Sequence, residues 1–270
     1  MSRLPASLTL VGAGKMGGAM LAGWLDGGLD PARTTVLDPH PSPELDALCA
    51  ARGLALNPAE VPAAEALVLA MKPQGLDAAA PGLAELAGPD TLVVSILAGK
   101  TIADLCTRLP RARAVVRAMP NLPASIGRGV TGAVASAEVD ATRRAEADAL
   151  LASVGAVEWL DDEGLIDALT AVSGSGPAYV FLLAEAMERA GVAAGLPAAM
   201  AARLARATIS GAGALLDATD RPVGQLRQDV TSPGGTTAAA LAVLMRAGGV
   251  PDLMREAVAA ARTRAGELSG

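Results

Sequence analysis

A short strand followed by a glycine-rich turn, near the start of the chain, constrains the fold more than any other segment. Leu8–Val11 has the composition of a buried strand, and it runs directly into G-A-G-K-M-G at residues 12–17. A helix of small and apolar residues is predicted to follow, as far as Leu25. This order of strand, G-x-G-x-x-G turn and helix is typical of dinucleotide-binding domains. The alternative is a glycine-rich turn that serves packing alone, and the flanking strand and helix favour the nucleotide.

The glycines and the next strand predict how a dinucleotide is held. Gly12 is expected to make the tight turn, Gly14 to let a pyrophosphate approach, and Gly17 to allow close packing of helix and strand. The second strand, residues 35–37, ends at Asp38, whose carboxylate can accept hydrogen bonds from the adenosine ribose and would repel a 2′-phosphate. This favours NADH over NADPH. Alternatively, Asp38 merely begins a turn with the proline that follows it.

Alternating strand and helix patterns continue to about residue 160. Strands are predicted at residues 66–70, 92–96, 114–118, 129–135 and 155–160, and helices at residues 44–52, 76–86, 101–108 and 141–153. This alternation predicts a doubly wound parallel sheet flanked by helices, which is a Rossmann-type α/β fold. Ligands of such sheets bind at the carboxyl ends of the strands. The residues of interest therefore follow the strands, at 12–17, 38, 70–74, 97–99 and 119–121.

The second part of the chain has a different pattern. From about Glu163 the strand-like segments stop and helical stretches follow. One of these, residues 197–218, carries Arg203 and Arg206 as its only charged residues before Asp217, so nearly every face of this helix must be covered. An interleaved homodimer would cover it. We therefore predict a dinucleotide-binding domain at residues 1–162 and an all-α dimerisation domain at residues 163–270.

Composition narrows the class of protein further. The chain has 270 residues, of which 51% are hydrophobic and only 1% aromatic, and its net charge is −6. Nucleic-acid binding requires basic patches and stacking rings, so it is not expected. No uninterrupted apolar run approaches the roughly 18 residues of a membrane span, and the first strand begins too early for a signal peptide. These features predict a cytoplasmic enzyme subunit that does not bind a membrane.

Histidine and cysteine offer little chemistry in this sequence. His40, the only histidine, is interpreted as a solvated residue of the turn after the second strand. Cys49 and Cys106 are interpreted as reduced packing residues, because they match no metal-ligand spacing. No metal site is therefore predicted.

The sequence D-V-T-S-P-G-G-T-T at residues 229–237 is the strongest candidate for a substrate site. It places hydroxyl side chains and two glycines directly before an alanine-rich helix, predicted at residues 238–247. The first amides of such a helix have no partner within it and lie at the positive end of its dipole. They are suited to a small anion such as a carboxylate, with the hydroxyls of Ser232, Thr236 and Thr237 adding hydrogen bonds. Alternatively, the segment is a helix start that serine or threonine caps.

The available side chains favour reduction of a C=N bond. Hydride transfer involving an alcohol needs a base for the hydroxyl proton, commonly His or Lys. No lysine follows Lys100, and no histidine follows His40. An imine nitrogen is basic enough to be protonated from solvent, so the protein has mainly to position the reactants and stabilise charge. A hydroxyl near that nitrogen suffices, and the motif places Thr237 to supply it.

The chain resembles the pyrroline-5-carboxylate reductases along nearly its whole length. The resemblance rests on G-A-G-K-M-G from Gly12, A-M-K-P-Q from Ala70, R-A-M-P-N from Arg117, V-S-G-S-G-P-A-Y from Val172 and D-V-T-S-P-G-G-T-T from Asp229. It implies reduction of Δ1-pyrroline-5-carboxylate to L-proline, the last step of proline biosynthesis, with NADPH or NADH as hydride donor. It also implies a Rossmann domain joined to a helical domain that dimerises by interleaving, often with dimers assembled into a decameric ring.

The resemblance also implies roles for individual residues. Around the substrate it implies Asn121, Ser232, Gly234, Gly235, Thr236 and Thr237. Of these, Ser232 and Thr237 are expected in catalysis, with Thr237 bonding the ring nitrogen. Around the cofactor it implies Gly12, Lys15, Met16 and Gly17 at the pyrophosphate, Asn57 on the adenosine side, and Met71, Lys72 and Pro73, with Ala70 before them, at the nicotinamide end. Gly14 at the pyrophosphate and Asp38 at the adenosine ribose are predicted from the glycine motif itself. Lys72 is alternatively a solvated strand-end lysine.

Three further positions carry expectations. The segment Val172–Tyr179 is interpreted as a helix bent by its glycines and proline where the domains meet, with Ser173 and Ser175 as supporting groups. Leu122 stands where the family usually has threonine, so a polar contact near the nicotinamide is expected to be lost. Asp38 replaces the small or neutral residue common in members that prefer NADPH. We therefore predict that NADH is used at least as well as NADPH.

Two alternative functions share the dinucleotide-binding turn. One is a β-hydroxyacid dehydrogenase, but those enzymes use a lysine on the helical side, and this chain has none after Lys100. The other is a non-catalytic sensor of a nucleotide or metabolite. A sensor has no need of a hydroxyl-rich substrate turn, so the reductase is the favoured prediction.

Overall fold

The computed structural model describes residues 4–269 of the chain. Within this range the chain forms two compact units. The first comprises the chain through Gly174 together with the segment from Arg262 onward, and the second comprises Ser175–Ala261. The last helix therefore begins in the second unit and ends in the first.

One sheet forms the centre of the first unit. Its strands are β1 (Leu8–Val11), β2 (Thr34–Leu37), β3 (Ala55–Leu56), β4 (Ala66–Leu69), β5 (Leu92–Ser95), β6 (Ala114–Met119), β7 (Gly129–Ala135) and β8 (Gly155–Trp159). Their order is β3-β2-β1-β4-β5-β6-β7-β8, and all neighbours are parallel except β6 and β7. The strand order reverses between β1 and β4, which is where such sheets bind ligands. The predicted Rossmann-type fold is confirmed.

Helices cover both faces of this sheet. They are α1 (Lys15–Asp26), α2 (Pro43–Arg52), α3 (Leu76–Leu86), α4 (Ile102–Arg108), α5 (Ala141–Ala152) and α6 (Leu165–Leu169). On one face Leu10 of β1 belongs to a core that also contains Trp24 of α1 and Leu150 of α5. On the other face Leu69 of β4 and Leu105 of α4 share a second core. The buried indole of Trp24 donates its N–H to the Leu150 carbonyl oxygen at 2.7 Å, which joins α1 to α5.

The second unit is all helical, as predicted. It contains α7 (Gly176–Ala193), α8 (Ala198–Asp217), α9 (Val223–Asp229), α10 (Thr236–Leu244) and the first part of α11 (Val250–Ser269). Helices α7 and α8 approach closely at Gly191, where an added Cβ would lie 3.2 Å from the Ala201 Cβ. All residues of this unit are described, and among them only Ala201 and Ala205 are buried.

Large apolar side chains line the surface of the second unit. They include Phe181, Leu182, Leu183, Leu204, Leu215 and Leu216. Among the described residues, one helical stretch, Leu165–Ala193, is long and apolar enough to cross a membrane by length and composition, and 11% of its most apolar window is buried. Charged residues interrupt this stretch. It is therefore not an uninterrupted apolar run, and it does not conflict with the absence of such a run from the sequence. A single copy of the chain leaves this surface uncovered.

Predicted and observed elements differ mainly at their ends. The predicted helix 76–86 and strand 129–135 coincide with α3 and β7. The helix expected at residues 238–247 instead spans Thr236–Leu244 and is followed by a glycine-containing turn. The two residues of β3 have no predicted counterpart, because so short a strand leaves no pattern. A π-helical turn, Thr170–Gly174, joins α6 to α7 where a bend was expected.

Candidate functional site

The glycine turn after β1 is shaped by its contact with the end of β4. Gly12 has a φ of +85°, and an added Cβ would lie 2.6 Å from the Met71 amide nitrogen. At Gly17 an added Cβ would collide with the Gly12 carbonyl oxygen, so α1 starts directly against the turn. Around Gly14, in contrast, nothing lies within 4 Å of an added Cβ. The turn therefore has two closely packed glycines and one open glycine, the arrangement expected for a pyrophosphate that approaches at Gly14.

The first turn of α1 offers free backbone donors and contains no acidic residue. Gly14 is its N-cap residue, so no side chain accepts a hydrogen bond from the first amides, and no acidic residue lies in the first turn. Lys15 is exposed and, within residues 4–269, has no carboxylate partner. Uncapped amides at the positive end of a helix dipole, together with an unpaired ammonium group, form a site suited to phosphate oxygens.

Asp38 and Asn57 form a hydrogen-bonded group beside this turn. The Asp38 carboxylate accepts from the Ala13 N–H at 2.8 Å and from the His40 N–H at 2.9 Å. The Asn57 side chain, in turn, accepts from the Asp38 N–H at 2.9 Å and donates to the Asp38 carbonyl oxygen at 2.7 Å. Asp38 therefore fixes the glycine turn, and Asn57 fixes the backbone of Asp38. Both were predicted near the adenosine, and the structure brings the two residues together at the end of β2.

The residues after β4 lie next to the glycine turn. Ala70 continues the β1 pairing, since its N–H donates to the Val11 carbonyl oxygen at 2.8 Å. The Met71 side chain folds back, so that an added Cβ on Gly75 would lie 2.8 Å from its Cε. Lys72 is exposed before a 3₁₀ turn that begins at Pro73, and the residues described give it no ion pair. These four residues, 70–73, follow β4 beside the glycine turn, and their role at the nicotinamide end stays a prediction.

Asn121, after β6, has its side-chain amide engaged on both sides. Its Oδ1 accepts from the Val130 N–H at 3.0 Å. Its Nδ2 donates to the Ser173 carbonyl oxygen at 3.2 Å and to the Ser173 Oγ at 3.1 Å. The next residue, Leu122, begins a 3₁₀ turn and is 54% exposed. Asn121 therefore connects the end of the sheet to the π-helical turn.

The predicted substrate loop begins at a well-anchored carboxylate in the second unit. Asp229, the last residue of α9, accepts hydrogen bonds from Gln225 and Arg221, which hold the pKa of its carboxyl below the usual range. Thr231 donates its hydroxyl to the Arg227 carbonyl oxygen at 2.6 Å. These contacts fix the path of the chain into the loop and leave the hydroxyls that follow for other partners.

The loop ends at the uncapped start of α10. Gly235 is the N-cap residue, no side chain accepts from the first amides, and the first turn has no acidic residue. An added Cβ on Gly235 would collide with the Ser232 Oγ, so the Ser232 side chain lies against this glycine. Ser232 and Thr236 are exposed, and Thr237 is half-buried. The alternative that a serine or threonine caps this helix is wrong, because a glycine occupies the N-cap position.

One polar group of the first unit has no counterpart in the sequence predictions. Arg117 of β6 is 5% exposed and donates to Glu163 at 2.8 Å, while the same carboxylate accepts from the Ile102 N–H at 2.8 Å. Arg117 also donates to Ser269 near the end of α11, at 3.5 Å. The sequence signal for this group is an arginine inside an otherwise apolar strand, which requires a buried partner.

The fold and these residues define a class, a dinucleotide-dependent oxidoreductase built on a Rossmann-type sheet. Residues 7–99 match the protein family described as NADP oxidoreductase, coenzyme F420-dependent. Residues 163–268 match the family described as pyrroline-5-carboxylate reductase dimerisation. The chain belongs to the pyrroline-5-carboxylate reductase family, and the resemblance stated from its motifs is confirmed.

Individual relatives extend this similarity to the whole chain. The pyrroline-5-carboxylate reductase of Pseudomonas aeruginosa is 39% identical over 264 residues, which cover 97% of this chain and 96% of that protein. The Synechocystis enzyme is 41% identical over 267 residues, covering 97% of each chain. The structure of the Coxiella burnetii reductase matches with a TM-score of 0.91 and 35% identity, over 98% of this chain and 99% of that one. The Plasmodium falciparum reductase, solved with NADP bound, matches with a TM-score of 0.80 and 25% identity over 100% of both chains.

Proposed function

We propose that this chain reduces the C=N bond of Δ1-pyrroline-5-carboxylate to give L-proline, with NADPH or NADH as hydride donor. The family membership extends over both the dinucleotide-binding and the helical parts. The observation that carries the proposal is the start of α10, which combines a glycine N-cap with unclaimed hydroxyls. Such a start suits the carboxylate of a small ring, and no lysine or histidine is available in the second unit for alcohol chemistry.

The residues after β1, β2 and β4 fit a nicotinamide dinucleotide. We assign the pyrophosphate to Gly12, Gly14, Lys15, Met16 and Gly17, the adenosine ribose to Asp38 and Asn57, and the nicotinamide end to Ala70, Met71, Lys72 and Pro73. The open space at Gly14 and the unpaired Lys15 support this assignment. When bound, the reduced dinucleotide supplies the hydride. The protein orients it across the carboxyl edge of the sheet.

The substrate loop is assigned the task of holding and polarising the imine. The substrate carboxylate is bound by the amides that follow Gly234 and Gly235 and by the hydroxyls of Ser232 and Thr236. The Thr237 hydroxyl forms a hydrogen bond with the ring nitrogen. With the nitrogen protonated, hydride adds to the ring carbon of the C=N bond, and the π-electron pair becomes the lone pair of the amine. No side chain has to remove a proton, which agrees with the absence of His and Lys from this part of the sequence.

Removal of the Thr237 hydroxyl tests the proposed function. We expect Thr237→Ala to lower kcat by about a hundredfold, on the scale of a lost transition-state hydrogen bond, and Thr237→Ser to restore most of it. The control is Thr142→Ala, which removes an exposed hydroxyl on α5 and should change kcat less than about threefold. The assay follows loss of reduced nicotinamide absorbance with the imine. If the wild-type protein binds the nucleotide but never oxidises it with the imine, the sensor alternative holds. Oxidation of β-hydroxyacids instead would indicate the dehydrogenase.

The cofactor preference follows from Asp38. A 2′-phosphate brought near its carboxylate would be repelled, so we propose that kcat/KM with NADH is at least as high as with NADPH. Asp38→Asn keeps an oxygen for the Ala13 N–H, loses the contact with the His40 N–H and removes the charge. It should raise the NADPH/NADH ratio of kcat/KM about tenfold. A wild-type preference above tenfold for NADPH would contradict the proposal.

We further propose that the helical part, residues 163–270, both binds substrate and forms a homodimer, and that residues 1–162 bind the dinucleotide. The family match to a dimerisation segment begins at residue 163 and supports this division. A second copy of the chain, rather than a membrane, is the proposed cover of the apolar surface on α7 and α8. Assembly of dimers into a decamer, no binding of nucleic acid and a cytoplasmic location complete the proposal.

A further inference from the structure

The direction in which the Asn121 amide faces is fixed by its neighbours. A backbone N–H can only be paired with the oxygen of the amide, so the contact with Val130 turns Oδ1 toward β7. The nitrogen then faces the π-helical turn, where its two hydrogens go to the carbonyl oxygen and the Oγ of Ser173. The Ser173 hydroxyl is therefore an acceptor in this pair.

The hydrogen of the Ser173 hydroxyl forms no hydrogen bond with the part of the chain that the structure describes. No acceptor for it occurs among residues 4–269, and the residue is half-buried, so its Oγ is neither sealed in the core nor freely solvated. Ser173 lies in a π-helical turn, a conformation that is frequent at functional sites. The turn is seated on the end of β6, since an added Cβ on Gly174 would lie 3.6 Å from the Met119 Cε.

The sheet order places this hydroxyl toward the reactive end of a dinucleotide. The glycine turn follows β1, and Asn121 follows β6, which lies beyond β4 and β5 in the sheet. Three strand spacings amount to about 14 Å. Asp38, on the adenosine side, follows β2, which neighbours β1 in the opposite direction. A dinucleotide that crosses the carboxyl edge from Asp38 past Gly14 therefore extends its nicotinamide toward Asn121 and Ser173.

We infer that the Ser173 hydroxyl donates a hydrogen bond to a ligand oxygen at the reactive end, and that Asn121 acts through Ser173 as its positioning residue. The ligand group is a carbonyl-type oxygen, either the carboxamide oxygen of the reduced nicotinamide or a carboxylate oxygen of the substrate. The inference rests on the proposed function, because that function supplies both ligands. It changes the role of Asn121, whose own amide is already fully engaged with Val130 and Ser173.

Ser173→Ala is the first test, with two separate readings. The substitution leaves the Asn121 contact with the Ser173 backbone carbonyl intact, so the π-helical turn keeps an anchor. If the oxygen belongs to the nicotinamide carboxamide, the Kd for NADPH or NADH, measured by fluorescence without substrate, should rise about three- to tenfold. If it belongs to the substrate carboxylate, the cofactor Kd should stay unchanged and the KM for the imine should rise more than about tenfold. Ser173→Thr keeps the hydroxyl and should stay within about threefold of wild type in both. Ser173→Ala within twofold of wild type in both overturns the inference.

Asn121→Asp is the second test. If Asn121 had only a structural role, this substitution would not change the same binding constant as Ser173→Ala. A carboxylate still accepts from Val130 but cannot donate to Ser173, so the serine hydroxyl turns and gives its hydrogen to the carboxylate. The hydrogen bond persists with its direction reversed, and no hydrogen is left for a ligand. We expect Asn121→Asp to weaken the same constant as Ser173→Ala. Its Tm should also fall, because the carboxylate cannot donate to the Ser173 carbonyl oxygen and is repelled by it, so the comparison rests on the binding constants.

A charge control and a double variant isolate the role of the hydroxyl. Ser125→Asp adds a carboxylate at an exposed position of the 3₁₀ turn Leu122–Ile126, which follows Asn121, and should change Kd and KM less than about twofold. Adding Ser173→Ala to Asn121→Asp should cost little more than either change alone. Independent, multiplying effects would overturn the inference, as would Asn121→Asp with wild-type constants. If the wild-type protein reduces the imine and these variants have the same constants, this inference alone fails. If the wild-type protein does not reduce the imine, the proposed function fails.

Discussion

Gly12 and Gly14 stand in the same turn, but a methyl group would meet different surroundings at each. At Gly12 it would lie 2.6 Å from the Met71 amide nitrogen on a backbone with φ of +85°. We expect Gly12→Ala to lower the free energy of unfolding by about 3 kcal/mol, because backbone strain and a clash coincide. The midpoint and slope of urea unfolding measure this change.

Gly14→Ala is the matched comparison. Its φ of −63° suits alanine, and nothing lies within 4 Å of the added Cβ, so stability should change by less than about 0.5 kcal/mol. The methyl would occupy the space assigned to the pyrophosphate, so the Kd for NADH should rise at least about tenfold. Equal stability and equal cofactor affinity in the two variants would contradict the assignment of this turn.

Asn57 shows where a motif-based prediction stops. The glycines and Asp38 could be predicted because the strand–turn–helix pattern is local and the acidic residue follows at a typical distance. The two hydrogen bonds from the Asn57 side chain to the Asp38 backbone join residues 19 apart, and no pattern in the sequence encodes them. The same is true of the Asn121 and Ser173 pair, separated by 52 residues. Such contacts depend on which strand ends become neighbours.

The conformation of Asn57 gives this pair its own prediction. Asn57 has a φ of +46°, which asparagine tolerates and alanine does not. We expect Asn57→Ala to lower the free energy of unfolding by about 2–3 kcal/mol, from two lost hydrogen bonds and the left-handed backbone. Asn57→Gly loses the same bonds without the steric cost and should be about 1 kcal/mol more stable than Asn57→Ala. Chemical denaturation of both proteins checks the order, and alanine at or above glycine would refute this account.

At the scale of elements, the strands and helices of the first unit could be predicted closely, since alternating apolar runs and turn residues bound each of them. The exceptions are informative. The two-residue β3 forms because β2 offers it a parallel edge, with Thr35 paired to Ala55. The π-helical turn at Thr170–Gly174 forms where Asn121 holds Ser173. Both depend on tertiary neighbours rather than on local propensity, so periodicity alone does not reveal them.

A buried charge ties the end of α11 to the sheet. The stability of the protein should therefore be sensitive to loss of the counter-charge. Glu163 pairs with Arg117, which is 5% exposed, and Arg117 also reaches Ser269. Glu163→Ala leaves the guanidinium buried without its counter-charge, so we expect a loss of about 3–5 kcal/mol in the free energy of unfolding. Glu158→Ala, at an exposed position of β8, should cost less than about 0.5 kcal/mol.

A double variant separates charge burial from packing at this pair. In Arg117→Leu with Glu163→Leu no charge is left unpaired, so most of the stability lost in Glu163→Ala should return. Urea unfolding of the three proteins gives the comparison. A double variant as unstable as Glu163→Ala would mean that the packing of Glu163, rather than its charge, holds this part of the chain together.

At the scale of the whole molecule, the two units differ in how completely they bury their apolar residues. The first has a core on each face of its sheet, whereas the second buries only Ala201 and Ala205 and exposes Phe181, Leu182 and Leu204. These exposed residues lie within the segment that matches the dimerisation family. The sequence predicted the need for a second copy from the scarcity of charge on one helix, but it could not indicate which side chains remain uncovered, because that depends on how the helices pack.

Leu182→Asp tests the proposed dimer surface. Leu182 is 64% exposed in the single chain, and a two-fold interface would bury two unpaired carboxylates, one from each copy. We expect the variant to sediment with the mass of one subunit at micromolar concentration, where the wild type has the mass of two or, if dimers assemble further, ten. Its kcat should fall at least about tenfold, while the Kd for NADH stays within about twofold because the glycine turn lies in the other unit. Ala51→Glu, which adds a charge to the exposed side of α2, should leave both mass and activity unchanged. A fully active Leu182→Asp protein with wild-type mass would show that this face of α7 stays open in the assembled molecule.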